Sequence, residues 1–214
     1  MARVRVRQHV NPLSHKYRTP IAPPNWTAIY ANPNQPLHLD IGCARGKFLL
    51  EMAQLQPEIN FLGVEIRQPL VEEANQHRDF LKLTNLHYLF CNINTSFLPL
   101  LESLPAEVLQ WVTIQFPDPW FKHRHLKRRV VQAELVTALG KYLKAGGMVF
   151  LQSDVETVAQ EMRDRFLDNP YFQQVHKTTW LADNPFPVPT EREIATQSRQ
   201  EPVYRVLLSS GMIA

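Results

Sequence analysis

The chain has 214 residues, 44% of them hydrophobic and 10% aromatic, which supplies one large domain core and excludes a disordered chain. It has no run of ~18 apolar residues and no apolar stretch behind the arginines of its first residues, so neither a membrane helix nor a secretory signal is expected. Its two cysteines, Cys43 and Cys91, exclude a disulfide scaffold and form no metal-like pair; the expected compartment is the cytoplasm, with no metal and no membrane partner.

Residues 1–36 come first, with Pro12, Pro20, Pro23, Pro24, Pro33 and Pro36 and few periodic apolar positions, and read as an irregular, flexible arm. The arm is basic: Arg3, Arg5, Arg7, Lys16 and Arg18 all precede the first acidic residue, Asp40. A strand is expected at 37–42, then a helix over 46–55 with Phe48, Leu49, Met52 and Leu55 at helical spacing. A second strand at 61–65, a helix at 68–82 and a third strand at 86–90 follow, with a fourth strand at 111–116. Val131, Leu135, Leu139 and Tyr142 mark one face of a helix that stops at Gly146-Gly147, a glycine C-cap signal. A fifth strand at 148–152, a helix carrying Val155, Val158, Ala159, Met162 and Phe166, and late strands near 172–180 and 203–208 complete the pattern. Strands alternating with helices predict an α/β fold over residues 37–214: a doubly wound, mostly parallel seven-stranded sheet with an antiparallel end strand.

The turn Asp40-Ile41-Gly42-Cys43-Ala44-Arg45-Gly46 joins the first strand to the first helix, where small residues let a ligand approach the backbone. Its spacing is G-x-A-x-G, and Lys47 stands where a dinucleotide fingerprint needs its third glycine. Asp40 would repel a pyrophosphate but attract an ammonium. Together these favour S-adenosyl-L-methionine over NAD. Glu65, 19 residues after Gly46 at the end of the second strand, is placed to take both hydroxyls of a ribose, and Asn92, after the third strand, to meet an adenine edge.

The second basic segment, with Lys122, Arg124, Lys127, Arg128 and Arg129, contains no acid between Asp118 and Glu134. The two basic segments hold 10 of the 23 Lys and Arg, leaving 13 against 20 acidic residues, so an acidic body carries two concentrated cationic patches. That distribution points to a polyanion partner. Immediately before the second segment, Pro117 and Pro119 flank Asp118 and stiffen the turn that presents it. Trp120 and Phe121 offer flat surfaces on which bases stack.

Asp40-Ile-Gly42 with Gly46, Glu65, Pro117-Asp118-Pro119-Trp120, Lys122, Arg124-His125 with Lys127-Arg128-Arg129, Asp154 and Thr190-Glu-Arg-Glu193 together resemble the bacterial tRNA (guanine-N7)-methyltransferases, in order, from about Leu37 to Leu208. The resemblance implies a Rossmann-like class I methyltransferase with S-adenosyl-L-methionine as cofactor and S-adenosyl-L-homocysteine as product. It implies that Asp40, Gly42, Gly46, Glu65, Asn92 and Asp118 surround the cofactor, and that Asp118 is the catalytic residue. It further implies that Lys122, Asp154, Thr190, Glu191, Arg192 and Glu193 contact substrate, that Arg124, His125, Lys127, Arg128 and Arg129 touch RNA, and that guanine 46 of the tRNA variable loop is methylated; a monomer and a homodimer are equally compatible with the sequence. Three positions depart from the family pattern: Ala44 replaces the middle glycine of the turn, Asn92 a common aspartate, and Arg192 a common apolar or aromatic residue. An NAD-dependent oxidoreductase, a non-catalytic RNA-binding module and a methyltransferase for protein or small molecules are the rival readings; the first needs the pyrophosphate turn that Asp40 and Ala44 oppose.

Overall fold

Two interior strands, β1 (Leu37–Ile41) and β2 (Asn60–Glu65), are buried at every position, which is what parallel strands covered on both faces require. In the computed structural model, which describes residues 10–211, they lie side by side inside a seven-stranded sheet with β3 (Leu86–Phe90), β4 (Leu109–Gln115), β5 (Met148–Ser153), β6 (Phe172–Gln174) and β7 (Tyr204–Ser210). The strand order is β3-β2-β1-β4-β5-β7-β6. The first five strands run parallel, and β7 is antiparallel to both of its neighbours, β5 and the edge strand β6. Chain order reverses between β1 and β4, so the carboxyl ends of these two strands open a crevice, the usual ligand position in such sheets.

Side-chain alternation divides the sheet. Leu37, Leu39 and Ile41 of β1, Leu62 and Val64 of β2, and Val112 and Ile114 of β4 enter the larger core, with residues of α4 (Ile93–Glu102), α5 (Ala133–Tyr142) and α6 (Glu156–Leu167). The opposite face packs Phe61 and Tyr88 against α2 (Lys47–Leu55) and α3 (Gln68–Phe80), and Phe186 lies against both His38 and Phe48. Two further helices are short: α1 (Trp26–Ile29) and α7 (Glu191–Ser198).

The helix α4 and the helix α7 are absent from the periodicity reading, and β6 is shorter than the run expected over 172–180. Within α4 stands Pro99, and its first turn is Ile-Asn-Thr-Ser, which locally resembles a loop; burial of Ile93, Leu100 and Leu101 stabilises the helix instead. The described part of the arm, residues 10–36, is irregular for most of its length but is laid against the domain. Trp26 and Tyr30 are 7% and 4% exposed, stack at 6.0 Å and belong to the larger core, and Tyr30 Oη donates to Phe61 O at 3.0 Å. Arg3, Arg5 and Arg7 lie outside the described residues. Among the described residues, no helix is long and apolar enough to cross a membrane.

Candidate active site

The turn after β1 is built by left-handed residues: Gly42 has φ +86°, Ala44 +50° and Gly46 +71°. Two amides of the turn, Gly42 N and Cys43 N, donate to Val64 O of β2 at 2.8 and 3.1 Å, which holds the turn flat against its neighbour strand. Ala44 occupies a conformation that L-residues adopt at a cost of about 1–2 kcal/mol. It is held there by its own amide, which donates to Glu65 Oε2 at 3.0 Å. Gly46 caps α2 and sits beneath Tyr88, whose hydroxyl donates to Gly46 O at 2.6 Å.

A cavity opens above this turn. Gly42, Glu65, Asn92 and Asp118 line it, together with Arg67 and Gln115; Asp40 and Gly46 do not, and Asp40 reaches the lining through its hydrogen bond with Gln115. Asp40 is 4% exposed, and Thr113 Oγ1 at 2.7 Å and Gln115 Nε2 at 3.4 Å both donate to its Oδ1. Burial pushes its carboxyl up to about 6, against the lowering effect of those two hydrogen bonds. Glu65, 3% exposed, is clamped by Arg67, which missed notice in the sequence. Arg67 Nε and N both donate to Oε1 at 2.9 Å and Arg67 Nη2 donates to Oε2 at 2.8 Å. Hydrogen bonding to Glu65 is the main influence that holds the Arg67 guanidinium firmly charged, and Asp118 adds to it, so this one cation lies in the field of both cavity carboxylates. The available signal was position: a charged residue just past the end of an interior strand faces the crevice.

Asn92 lines the cavity, but its amide bonds elsewhere. Its Oδ1 accepts from Asn94 N at 3.2 Å as the N-cap of α4. Its Nδ2 donates to Pro12 O and Tyr17 O at 3.1 and 3.2 Å, fastening the arm across the cavity mouth beside Val10 and Pro12.

Asp118 sits on the turn after β4. Phe116 and Trp120, on either side of Pro117-Asp118-Pro119, both have left-handed φ, +49° and +41°, which bulky residues rarely adopt. Phe116 N donates to Gln152 O at 2.8 Å and Arg129 Nε to Pro119 O at 2.8 Å, so the turn is pinned at both ends. The basic segment continues as a 3-10 helix over His123–Arg128. Lys122, Arg124 and Lys127 are exposed. Arg128 lies over the Trp120 ring, its guanidinium carbon 4.9 Å from the centroid, and lines the cavity. His125 meets Trp120 edge-on at 5.7 Å; desolvation, then the cations of Arg128, Arg124 and Lys122, lower its pKa. Arg129 is turned inward, paired with Glu161 as well as Pro119 O.

The Thr190–Glu193 segment starts α7, and each residue is fixed to a different element. Thr190 Oγ1 accepts from Glu193 N at 3.1 Å as the N-cap. Glu191 accepts from Lys47 Nζ at 2.7 Å, at the start of α2. Arg192 forks onto Asp154 Oδ2, its Nε at 2.9 Å, just past β5. Glu193 is 1% exposed and accepts from Arg205 Nη2 at 2.7 Å and Asn184 Nδ2 at 2.7 Å. The structure thus brings Asp154 and Arg192 together and places the Glu193 carboxylate inside the protein.

Apolar walls from Ile41, Val64, Ile66 and Ile93, a carboxylate at the end of β2 and an open backbone at Gly42 fit an adenosyl group bearing a ribose. The comparisons agree with that geometry. A family model described as "Putative methyltransferase" matches residues 34–206. A tRNA (guanine-N(7)-)-methyltransferase of Microcystis aeruginosa is 67% identical over 97% of this chain and 98% of the relative. Those of Trichormus variabilis and Thermosynechococcus vestitus are 65% and 57% identical, over 95% and 94% of this chain and 95% and 93% of each relative. Among solved structures, the aminoglycoside resistance methyltransferase NpmB1 superposes with a TM-score of 0.52 at 15% identity, over 86% of this chain and 89% of that one. The precorrin-6y C5,15-methyltransferase of Geobacter metallireducens gives 0.54 at 13%, over 86% and 85%, and these two likenesses concern the fold. The chain belongs to the tRNA (guanine-N7)-methyltransferases, a family of enzymes that use S-adenosyl-L-methionine.

Proposed function

We propose that this enzyme methylates N7 of guanine 46 in the variable loop of tRNA, with Asp118 as its catalytic residue. One observation carries the reading: a strained, doubly pinned turn holds Asp118 at the crevice between β1 and β4, with a cationic segment attached directly to it. S-adenosyl-L-methionine supplies a methyl group activated by a sulfonium. Guanine N7 has an in-plane lone pair and no proton, so no residue has to act as a base. Rate then comes from holding the guanine in line, and such positioning supplies ~7–11 kcal/mol. Asp118 accepts from the guanine N1–H and exocyclic amine, which selects guanine over adenine, and its charge favours the positive charge that develops on the base. Glu65 takes the ribose hydroxyls once Arg67 shifts toward Asp118, and Gly42 and Gly46 shape the turn beside Asp40 and the methionine end.

Lys122, Arg124 and Lys127 grip phosphates, and Arg128 with Trp120 forms the inner wall on which the target base enters. His125 supports Trp120. Asp154 and Arg192, paired with each other, contact the substrate, with Thr190, Glu191 and Glu193 fixing α7. The basic residues of the arm, from Arg3 to Arg18, tether tRNA phosphates. The test is transfer of labelled methyl to unmodified tRNA followed by nucleoside analysis: 7-methylguanosine confined to the variable loop is expected. Asp118→Asn is expected to bind both substrates and lose single-turnover rate. Label in another base, or full rate in Asp118→Asn, refutes the assignment.

A further inference from the structure

A largely buried polar row crosses the sheet from the wall of the active-site cavity. Alternation along β4, β5 and β7 puts Gln115, Gln152 and Arg205 on one face, and the register makes them direct neighbours: Gln115 is opposite Gln152, and Gln152 opposite Arg205. Gln152 is fully buried and Arg205 is 6% exposed. A polar row in such a place costs stability unless its groups are paired. Here most of its groups are paired, and the pairs run in one chain. Gln115 Nε2 donates to Asp40 Oδ1 at 3.4 Å. Gln152 Nε2 donates both to Gln115 Oε1 at 2.7 Å and to Glu193 Oε2 at 3.2 Å. Arg205 Nη2 closes the far end on Glu193 Oε1 at 2.7 Å.

The two glutamines meet a particular demand. Position 115 must accept from one side and donate to the other. Position 152 must supply two N–H donors without placing a charge between two carboxylates. An amide does both. Among the described residues, moreover, Gln152 Oε1 and Arg205 Nε have no hydrogen-bond partner, so the row keeps two unsatisfied buried groups that apolar residues of the same size avoid. Stability alone does not account for it. The chain's two ends are Asp40, behind the glycine turn, and Glu193, which anchors α7.

We propose that Gln115 and Gln152 are positioning residues that couple the two substrates, so that occupation of the cofactor side at Asp40 favours the seating of α7 on the RNA side. The inference rests on the reading that Asp40 borders the cofactor and α7 the guanine. A charge brought to Asp40 changes its pull on the Gln115 N–H; Gln115 and Gln152 polarise each other, and Gln152 sets how firmly Glu193 is held. Such coupling is reciprocal: each ligand tightens the other by the same factor.

The test is a two-ligand binding cycle on the full chain. The affinity of S-adenosylhomocysteine is measured by calorimetry with and without an unmodified tRNA transcript, for the unaltered chain, Gln152→Met and Gln115→Met. Methionine keeps the length of glutamine without its hydrogen bonds, and Glu193 retains Arg205 and Asn184, which supports the fold. We expect tRNA to tighten S-adenosylhomocysteine at least about fivefold in the unaltered chain and less than about twofold in either variant, a ratio that a purely structural role leaves unchanged. An equal ratio in all three proteins overturns the proposal, and so does absence of coupling in the unaltered chain. If Gln152→Met does not fold, the ratio in Gln115→Met decides. Failure of the unaltered chain to bind either ligand singly sinks the functional reading, and the proposal with it, and is told apart by that missing affinity.

Discussion

Gly42 and Gly46 share a left-handed backbone but not the same surroundings. A Cβ at Gly46 lies 2.3 Å from Tyr88 Cε1, 2.5 Å from Cζ and 2.7 Å from Oη, whereas one at Gly42 meets nothing within 4 Å among the described residues. Tyr88 is 1% exposed, and its hydroxyl holds Gly46 O, so the ring has nowhere to move without breaking that bond. Gly46→Ala therefore adds overpacking of about 1–3 kcal/mol and a lost hydrogen bond of about 1 kcal/mol to a left-handed cost of about 1–2 kcal/mol. The sum is roughly 3–6 kcal/mol, and at roughly 2–4 °C per kcal/mol for a chain of this size Tm falls by at least about 6 °C. Gly42→Ala incurs the left-handed cost alone, about 2–8 °C. Its methyl instead intrudes on the cavity that Gly42 lines, so cofactor affinity falls more than Tm does. Side-by-side thermal melts and S-adenosylhomocysteine titrations read both effects, and Tyr88→Leu in the Gly46→Ala background is expected to recover part of the lost Tm. Gly46→Ala melting no lower than Gly42→Ala would refute the steric reasoning, and an unchanged affinity in Gly42→Ala would refute the placement of the cofactor above this turn.

The Asp40 carboxyl, raised to about 6 by burial, keeps its proton to a higher pH in the folded chain than in the unfolded one, so charging it costs stability as pH rises from about 4 to 6, by up to roughly 3 kcal/mol. Asp40→Asn lacks that cost, and its stability relative to the unaltered chain should rise across this window and level off above it; parallel pH–stability curves would show that Asp40 is not so buried. Glu193→Gln leaves the buried Arg205 guanidinium without its carboxylate and is expected to lose about 3–5 kcal/mol in denaturant unfolding, part of it recovered by Arg205→Met in the same chain; full stability in the single variant counts against an internal role. Arg124→Ala and Lys127→Ala should each lower the slope of log affinity for tRNA against log salt by about 1. Arg129→Ala should leave that slope and instead lower Tm, because Arg129 holds Pro119 O and Glu161; a reduced slope at unchanged Tm would place it on the RNA.

The five parallel strands are legible as short apolar runs spaced by helical segments, and β7 as a late apolar stretch, whereas the edge strand β6 occupies only the start of the run expected over 172–180. The arm reads as loose because proline-rich composition hides two anchors, and Trp26 and Tyr30 have no periodic neighbours to announce burial. The start of α7 carried a readable sign, Thr-x-x-Glu, which is also the pattern of a helix cap. The structure uses Thr190 for that purpose, while the Glu193 side chain reaches Arg205, Asn184 and Gln152 rather than the Thr190 amide. The chemical site follows the same division. Gly42, Glu65, Asn92 and Asp118 could be placed at one crevice from strand ends alone, and they line one cavity. Which atoms face it could not. An amide at position 92 satisfies a helix cap and two carbonyls of the arm with the same donor and acceptor groups that an adenine edge uses, and Arg67 reaches back to Glu65 over only two residues. The four residues 190–193 are adjacent in sequence, yet their partners are drawn from α2, β5, β7 and their own helix, with Lys47 lying 144 residues from Glu191. A local pattern therefore locates chemistry to a strand end or a helix start, because backbone geometry there is set locally. The direction of many side chains is settled by partners that only the closed sheet brings near: the buried carboxylates Asp40 and Glu193 are oriented by such partners, whereas Glu65 is held chiefly by Arg67, two residues on.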